Sequence, residues 1–294
     1  MKPSTKDQAT SFLFVLPALL LFIVFSLYPF YKVFQLSCFD WDGISRAMRF
    51  VGLGNYLEVL TQNKPYWISF KNAAYITLLA LTLQNALALG LAWAVDRNIR
   101  GGHIYRVIFY LPPILSGIVV GFIWNWIFDG NYGLLNHVLA QIGLGSWSRA
   151  WLADPKTALL GVAIIHMWKG FGWGFIILLA GLQNIPRELY ESAKVDGASE
   201  TTVFWRITVP MMVPVFVLVS ILTILGTMQI YDLIVSTTGG GPGYNTEVPM
   251  TRLVAVMLGE GRLGYACSMG VLFGLLLLFL SMVQMRLGKK LEKD

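Results

Sequence analysis

Near the middle of the chain, His166-Met167-Trp168-Lys169-Gly170-Phe171-Gly172-Trp173 sets a cation between tryptophans inside an otherwise apolar run. Lys169 lies about 12 residues past the start of that run, hence about 18 Å deep by helical rise. A cation at such depth in hydrocarbon costs at least about 2.5 kcal/mol, so it should face a partner charge or a water-filled cavity. Gln229, Tyr231 and Asp232 add polar groups near the end of a later apolar run, and Asn125 does so near the end of an earlier one. Other chemistry is missing from the sequence. No Gly-x-x-x-x-Gly-Lys-Ser/Thr loop cradles phosphate. His103, His137 and His166 lack a metal-ligand spacing, and no Ser/His/Asp set has a nucleophile's context. Cys38 and Cys267 are too few for a disulfide framework, and a single pair between them stays open. A chain like this is expected not to be an enzyme. If it moves a solute uphill, the energy comes from an ion gradient or from another subunit.

These residues must be positioned by helices in lipid. Of the 294 residues, 56% are hydrophobic and 13% charged, about half the charge of an ordinary soluble domain. That balance excludes disordered tails, nucleic-acid surfaces and ordinary globular enzymes as leading classes. A span needs about 20 mostly apolar residues, and six stretches qualify: 11–31, 70–95, 105–128, 157–182, 208–235 and 264–286. The first is too long for a signal peptide, and Tyr28-Pro29-Phe30 stands where small residues should be. The expected architecture is therefore an all-α membrane protein of six transmembrane helices, a single domain over 1–294.

Basic residues orient it. Lys2, Lys6, Arg97, Arg100, Arg106, Arg187, Lys194, Arg206, Arg286, Lys289, Lys290 and Lys293 fall on the side that holds both termini, which is expected to be cytoplasmic. The longer opposite segments hold fewer, chiefly Arg46, Arg49, Lys64, Arg149, Lys156, Arg252 and Arg262. Tyr66-Trp67, Trp124 to Trp126 and Trp151 read as interfacial anchors. Gly117 with Gly121, Gly270 with Gly274, and the Gly170-Gly172-Gly174 set read as helix-packing positions. In the external loops, 134–143 reads as a short helix.

The connecting stretch 183–207 has its own pattern. Pro186 suits a helix start, and Glu188 and Glu191 sit in the first turns, near the positive end of the helix dipole. An amphipathic helix follows until Gly197 allows a left-handed turn or a close backbone contact. A second short stretch leads to Pro210. On physical grounds alone this helix–turn–helix is either a solvated connector or a docking element.

The stretch resembles the signature loop of permease subunits of binding-protein-dependent ABC importers. That pattern is Glu-Ala-Ala, three residues, Gly, nine residues, then Ile-x-Leu-Pro. Glu191, Ala193, Gly197, Ile207 and Pro210 match it at the right spacing, and Ser192 and Val209 depart conservatively. Phe50-Val51-Gly52-Leu53-Gly54-Asn55-Tyr56, Gly133-Leu134-Leu135-Asn136, Trp151-Leu152-Ala153-Asp154-Pro155, Ala180 to Pro186, Thr238 to Pro242 with Thr246, and Gly264-Tyr265-Ala266 resemble motifs of the carbohydrate-uptake branch, in order along the chain.

The resemblance implies a type I importer permease fold and half of a path for a sugar or polyol. It implies a second permease, two nucleotide-binding subunits that carry ATP and Mg, and an extracytoplasmic solute-binding protein. No cofactor is expected on this chain, and the location implied is a bacterial or archaeal plasma (inner) membrane. The ATPase-coupling set carried over is Glu188, Glu191, Ser192, Ala193, Asp196, Gly197 and Ala198. Asn125, Trp168, Lys169, Trp173, Gln229, Tyr231 and Asp232 form the expected solute path, with the tryptophans stacking on sugar faces and Lys169 donating to hydroxyls. An ion-coupled secondary carrier and a membrane scaffold are the alternatives. Carriers commonly show doubled repeats and interrupted helices, whereas no duplication is evident here.

Overall fold

A computed structural model describes residues 5–97 and 99–291, without the side chains of residues 5–11, 289 and 291. Lys2 and Lys293 of the orientation argument therefore lie outside what is described, as do the side chains of Lys6 and Lys289. Four helices are long and apolar enough to cross a membrane: Phe12–Ser37, Lys64–Asp96, Ala158–Gln183 and Leu263–Gly288. Two bent pairs, Gly102–Ile114 with Gly117–Ile127 and Glu200–Met211 with Val213–Met228, bring the number to six if each pair is one span.

Those two pairs fall on the spans expected over 105–128 and 208–235 and break each of them. The first bends by 96°. Pro112 and Pro113 bring no N–H to the helix, Leu115 is extended, and Ser116 starts a new helix by accepting a hydrogen bond from the Val119 amide at 3.2 Å. The second bends by 64° at Met212. There Pro214 lacks the N–H that would bond the Pro210 carbonyl. Its helix also ends at Met228 rather than running to 235, and the chain resumes as the short helix Asp232–Thr237.

The chain forms two compact units. The first comprises residues 1–63 and 253–276. A two-stranded antiparallel ribbon pairs Phe39 with Phe50 and Asp40 with Arg49. Asn55 Nδ2 donates to the carbonyls of Ser37 and Phe39, both at 2.9 Å, which fastens helix Gly54–Gln62 to the ribbon. Arg262 donates to both carboxylate oxygens of Glu58, at 2.7 and 2.8 Å, and stacks over the Tyr265 ring at 4.0 Å. Arg262 holds the Glu58 carboxyl below its ordinary range, against partial burial, which pushes it up. Cys38 and Cys267 are both free thiols. Of the expected packing pair Gly270 and Gly274, only Gly270 has a close neighbour, Leu253.

The second unit comprises residues 64–252 and 277–294. Its core joins Ala88, Ala92 and Val95 to Phe175, Leu178, Leu179, Leu182, Met212 and Val219. Small residues set the close approaches. A side chain at Gly172 would collide with the Phe109 carbonyl and Pro113, and one at Gly174 would press on Ala88. One at Gly117 would collide with Asp232, and one at Gly121 with Ser236, so this pair packs one short helix on another. Tyr66 is a buried core residue rather than an interfacial anchor, because its ring packs edge-on against Phe70 at 4.9 Å; Trp67 and Trp126 remain exposed. The short helix expected over 134–143 is present over Leu134–Gln141.

Candidate functional site: a cavity between helices and an exposed connecting helix

A cavity of about 610 Å³ lies in the second unit. Helix Lys64–Asp96 brings Gln84, helix Ala158–Gln183 brings His166, Lys169, Gly170 and Trp173, and the fifth segment brings Thr223, Gly226, Gln229 and Asp232. The rest of the lining is aliphatic, including Ile176, Val219 and Leu222.

The helical breaks explain this assembly. Because the fifth segment stops being helical at Met228, Gln229 and Asp232 approach the fourth helix on irregular backbone. Asp232 then opens a short helix, and its Oδ1 accepts from the Leu233 amide at 2.9 Å. Gly117 has no side chain to displace its carboxylate. Trp173 is 54% exposed at the cavity's edge, with its ring edge-on to Tyr110 at 5.2 Å.

Four of the seven expected solute-path residues therefore come together: Lys169, Trp173, Gln229 and Asp232. The other three lie elsewhere. Trp168 packs its ring against Trp124 at 5.7 Å. Asn125 Nδ2 donates to the Ser236 carbonyl at 2.7 Å and lines a separate hollow with Asp129 and Asn131. Tyr231 is not part of the lining. Gln84, His166 and Thr223 line the cavity without having been singled out for it. For His166 the signal was its spacing, since His166, Lys169, Gly170 and Trp173 recur at the three- and four-residue steps of one helix face. Among the described residues, no group of three His, Cys, Asp or Glu side chains could hold a metal ion.

The connecting stretch has the opposite character. Helix Arg187–Val195 starts after Pro186, which occupies the cap position rather than the first turn. It ends in a Schellman motif. The Ala198 amide donates to the Ala193 carbonyl at 2.9 Å and the Gly197 amide to the Lys194 carbonyl at 3.1 Å. Gly197 sits at φ +72°, the left-handed conformation expected of it, and nothing lies within contact of its side-chain position. Ala193 is buried, and Tyr190 packs on the core with its hydroxyl 3.2 Å from Thr208 Oγ1. The opposite face presents Glu188, Glu191, Ser192 and Val195, spaced three and four apart and all exposed; Val195 is 87% exposed. Asp196 is exposed at the turn and Ala198 half-buried beyond it. Among the described residues, Arg97 meets Glu200 at 2.8 Å while stacking over Trp93 at 3.8 Å, which ties the second short helix to the end of the second segment.

A multi-pass helical membrane protein with a mainly aliphatic cavity that gathers Gln84, Lys169, Gln229 and Asp232 between its helices, and an exposed amphipathic helix between two apolar segments, has the architecture of a transport component. The comparisons give the family. Residues 86–294 match the family described as binding-protein-dependent transport system inner membrane component. The chain belongs to that family and is a permease subunit, a transport component and not a catalyst; the ion-coupled carrier and the scaffold fall with this assignment.

Two relatives and one solved structure convey the extent of the likeness. The chain is 31% identical over 286 residues to the probable ABC transporter permease protein YurN of Bacillus subtilis, covering 97% of each. It is 30% identical to the trehalose/maltose transport system permease protein MalF of Thermococcus litoralis, covering 97% of this chain and 95% of that one. The fold matches a chain of a bacterial alginate ABC transporter, solved in complex with an alginate pentasaccharide-bound periplasmic protein, at a TM-score of 0.84, 21% identity, and coverage of 98% and 97%.

Proposed function

We propose that this chain forms half of the translocation path of an ATP-driven importer for a sugar or polyol, delivered by a solute-binding protein outside the plasma membrane. A second permease would complete the path, and two nucleotide-binding subunits, which bind ATP and Mg, would drive it. The observation that carries the proposal is the cavity. Trp173 offers a ring face to sugar C–H groups, while Lys169 and Gln229 offer hydrogen bonds to hydroxyls, and Asp232 can accept them. The trehalose/maltose name of one relative, and the alginate pentasaccharide named with the solved neighbour, support the carbohydrate class.

The coupling assignment rests on helix Arg187–Val195, placed on the cytoplasmic side. Glu188, Glu191 and Ser192 face an ATPase groove, Glu191 meeting a basic residue there. Ala193 seats the helix, and Asp196, Gly197 and Ala198 form the turn that ends it. The testing experiment is uptake into vesicles that hold the full complex. ATP inside and a loaded binding protein outside should drive accumulation that survives ionophores. Accumulation abolished by ionophores, and indifferent to ATP, would overturn it.

A further inference from the structure

Gln84 contributes to the cavity from a helix that the expected solute path did not include. It ends the five-residue π-helical stretch Ala80–Gln84 within the second segment. A π turn rotates the residues beside it relative to the helix before and after, and such insertions recur at functional sites. The side chain is only 6% exposed, and its amide oxygen is buried with no hydrogen-bond partner. Burial of an amide oxygen without a partner is unfavourable, and most buried polar side-chain atoms are satisfied. It lies against Gly170, on the cavity face of the fourth helix, where an added Cβ would stand 2.9 Å from Oε1 and 3.1 Å from Nε2. Gly170 therefore leaves room for this amide and for no bulkier neighbour. The last torsion of glutamine is broad, so rotation about it can turn the oxygen toward the cavity that the residue lines.

We propose that Gln84 is a specificity-determining contact of the path: seated in the room that Gly170 leaves, its unsatisfied amide oxygen takes a hydrogen bond from one hydroxyl of the passing solute in the cavity. The proposal rests on the carbohydrate reading above. It follows that the cavity distinguishes a sugar from its single-deoxy analogue at the position that meets Gln84, because the analogue leaves the amide unpaired. Lys169, Gln229 and Asp232 then act on other edges of the same solute.

The experiment uses the assembled complex in vesicles, with maltose, trehalose and their single-deoxy analogues as solutes. In the wild type, one deoxy analogue should show a KM for uptake about tenfold above its parent, the size of one hydrogen bond. Gln84→Met keeps the length and removes the amide. It should raise the parent's KM about tenfold, leave that analogue's KM unchanged, and not lower the melting temperature of the purified complex. Gly170→Ala keeps the amide but displaces it, and should erase the same discrimination. Unchanged deoxy ratios in both variants would overturn the role of Gln84 while the carbohydrate reading stands. A wild type that takes up no sugar of a broader disaccharide panel would instead defeat the carbohydrate reading, and the proposal with it.

Discussion

Helix Arg187–Val195 carries its polar groups outward on one continuous face, whereas the cavity collects Gln84, Lys169, Gln229 and Asp232 from three segments far apart in the chain. The first is a local object. Its shape follows from Pro186, a nine-residue amphipathic helix and a left-handed Gly197, all within 12 consecutive residues. The second is a product of packing, and its shape depends on where helices break. A local element tolerates change in its neighbours but not in its own backbone. A packed cavity tolerates change in its lining better than in the small residues that let the helices meet.

That contrast is sharpest at the packing glycines, where the largest effect is expected. Gly117→Leu must displace Asp232 and the helix that it opens. Overpacking a close helix contact costs typically 1–3 kcal/mol and sometimes more, so the complex should lose most of its folded yield, measured by size-exclusion chromatography in detergent. Normal yield with normal uptake would mean that the cavity is less tightly built than the contact implies.

Gly197→Val should act differently. Among the described residues no neighbour lies within contact of an added Cβ, so the main cost is the left-handed backbone itself, about 1–2 kcal/mol for an L-residue, enough to undo the Schellman turn. Assembly in the membrane should persist while solute-stimulated ATP hydrolysis falls at least tenfold. Gly197→Asn, which tolerates this conformation better, should recover much of it. Equal, full coupling in Gly197→Val and Glu191→Lys would remove the coupling role from this helix.

The sequence disclosed these two regions unequally. The connecting helix was legible because its information is contiguous: proline, acidic first turns and glycine stand in reading order. Lys169 was legible from the energetics of a cation in hydrocarbon, and Trp173 from its place one helical turn further along. Gln84 was not, because nothing in Thr82-Leu83-Gln84-Asn85 announces a π turn, and its importance comes from Gly170, 86 positions later. The breaks at Pro112-Pro113 and Pro214 did leave a signal. Hydrophobicity outweighed it, since a window of apolar residues scores as a span whether or not its backbone can stay straight. Trp168 failed as a cavity residue for a related reason: composition names a tryptophan but not the side of the helix on which Trp124 waits.

A smaller effect concerns the first unit. The Glu58 carboxyl, held low by Arg262, contributes stability that is fully present above the unfolded-state value near 4.3 and lost as pH falls through the lower folded-state value. About a third of each side chain meets solvent, so the contribution is about 1 kcal/mol or less. Thermal melts between pH 6 and pH 3 should show the wild type losing more stability than Arg262→Gln in that window. Parallel losses would assign Arg262 to its stacking on Tyr265 alone.

The proposed passage of solute through the cavity can be tested at Gln229. The most direct measurement places a single cysteine at Gln229, in a complex whose Cys38 and Cys267 are replaced by serine, and follows its alkylation in vesicles with and without solute. Transported sugar with ATP and loaded binding protein should slow labelling of Gln229→Cys several-fold and leave an Asn131→Cys control unchanged. Labelling of Gln229→Cys at the same rate with and without transported solute would contradict the account.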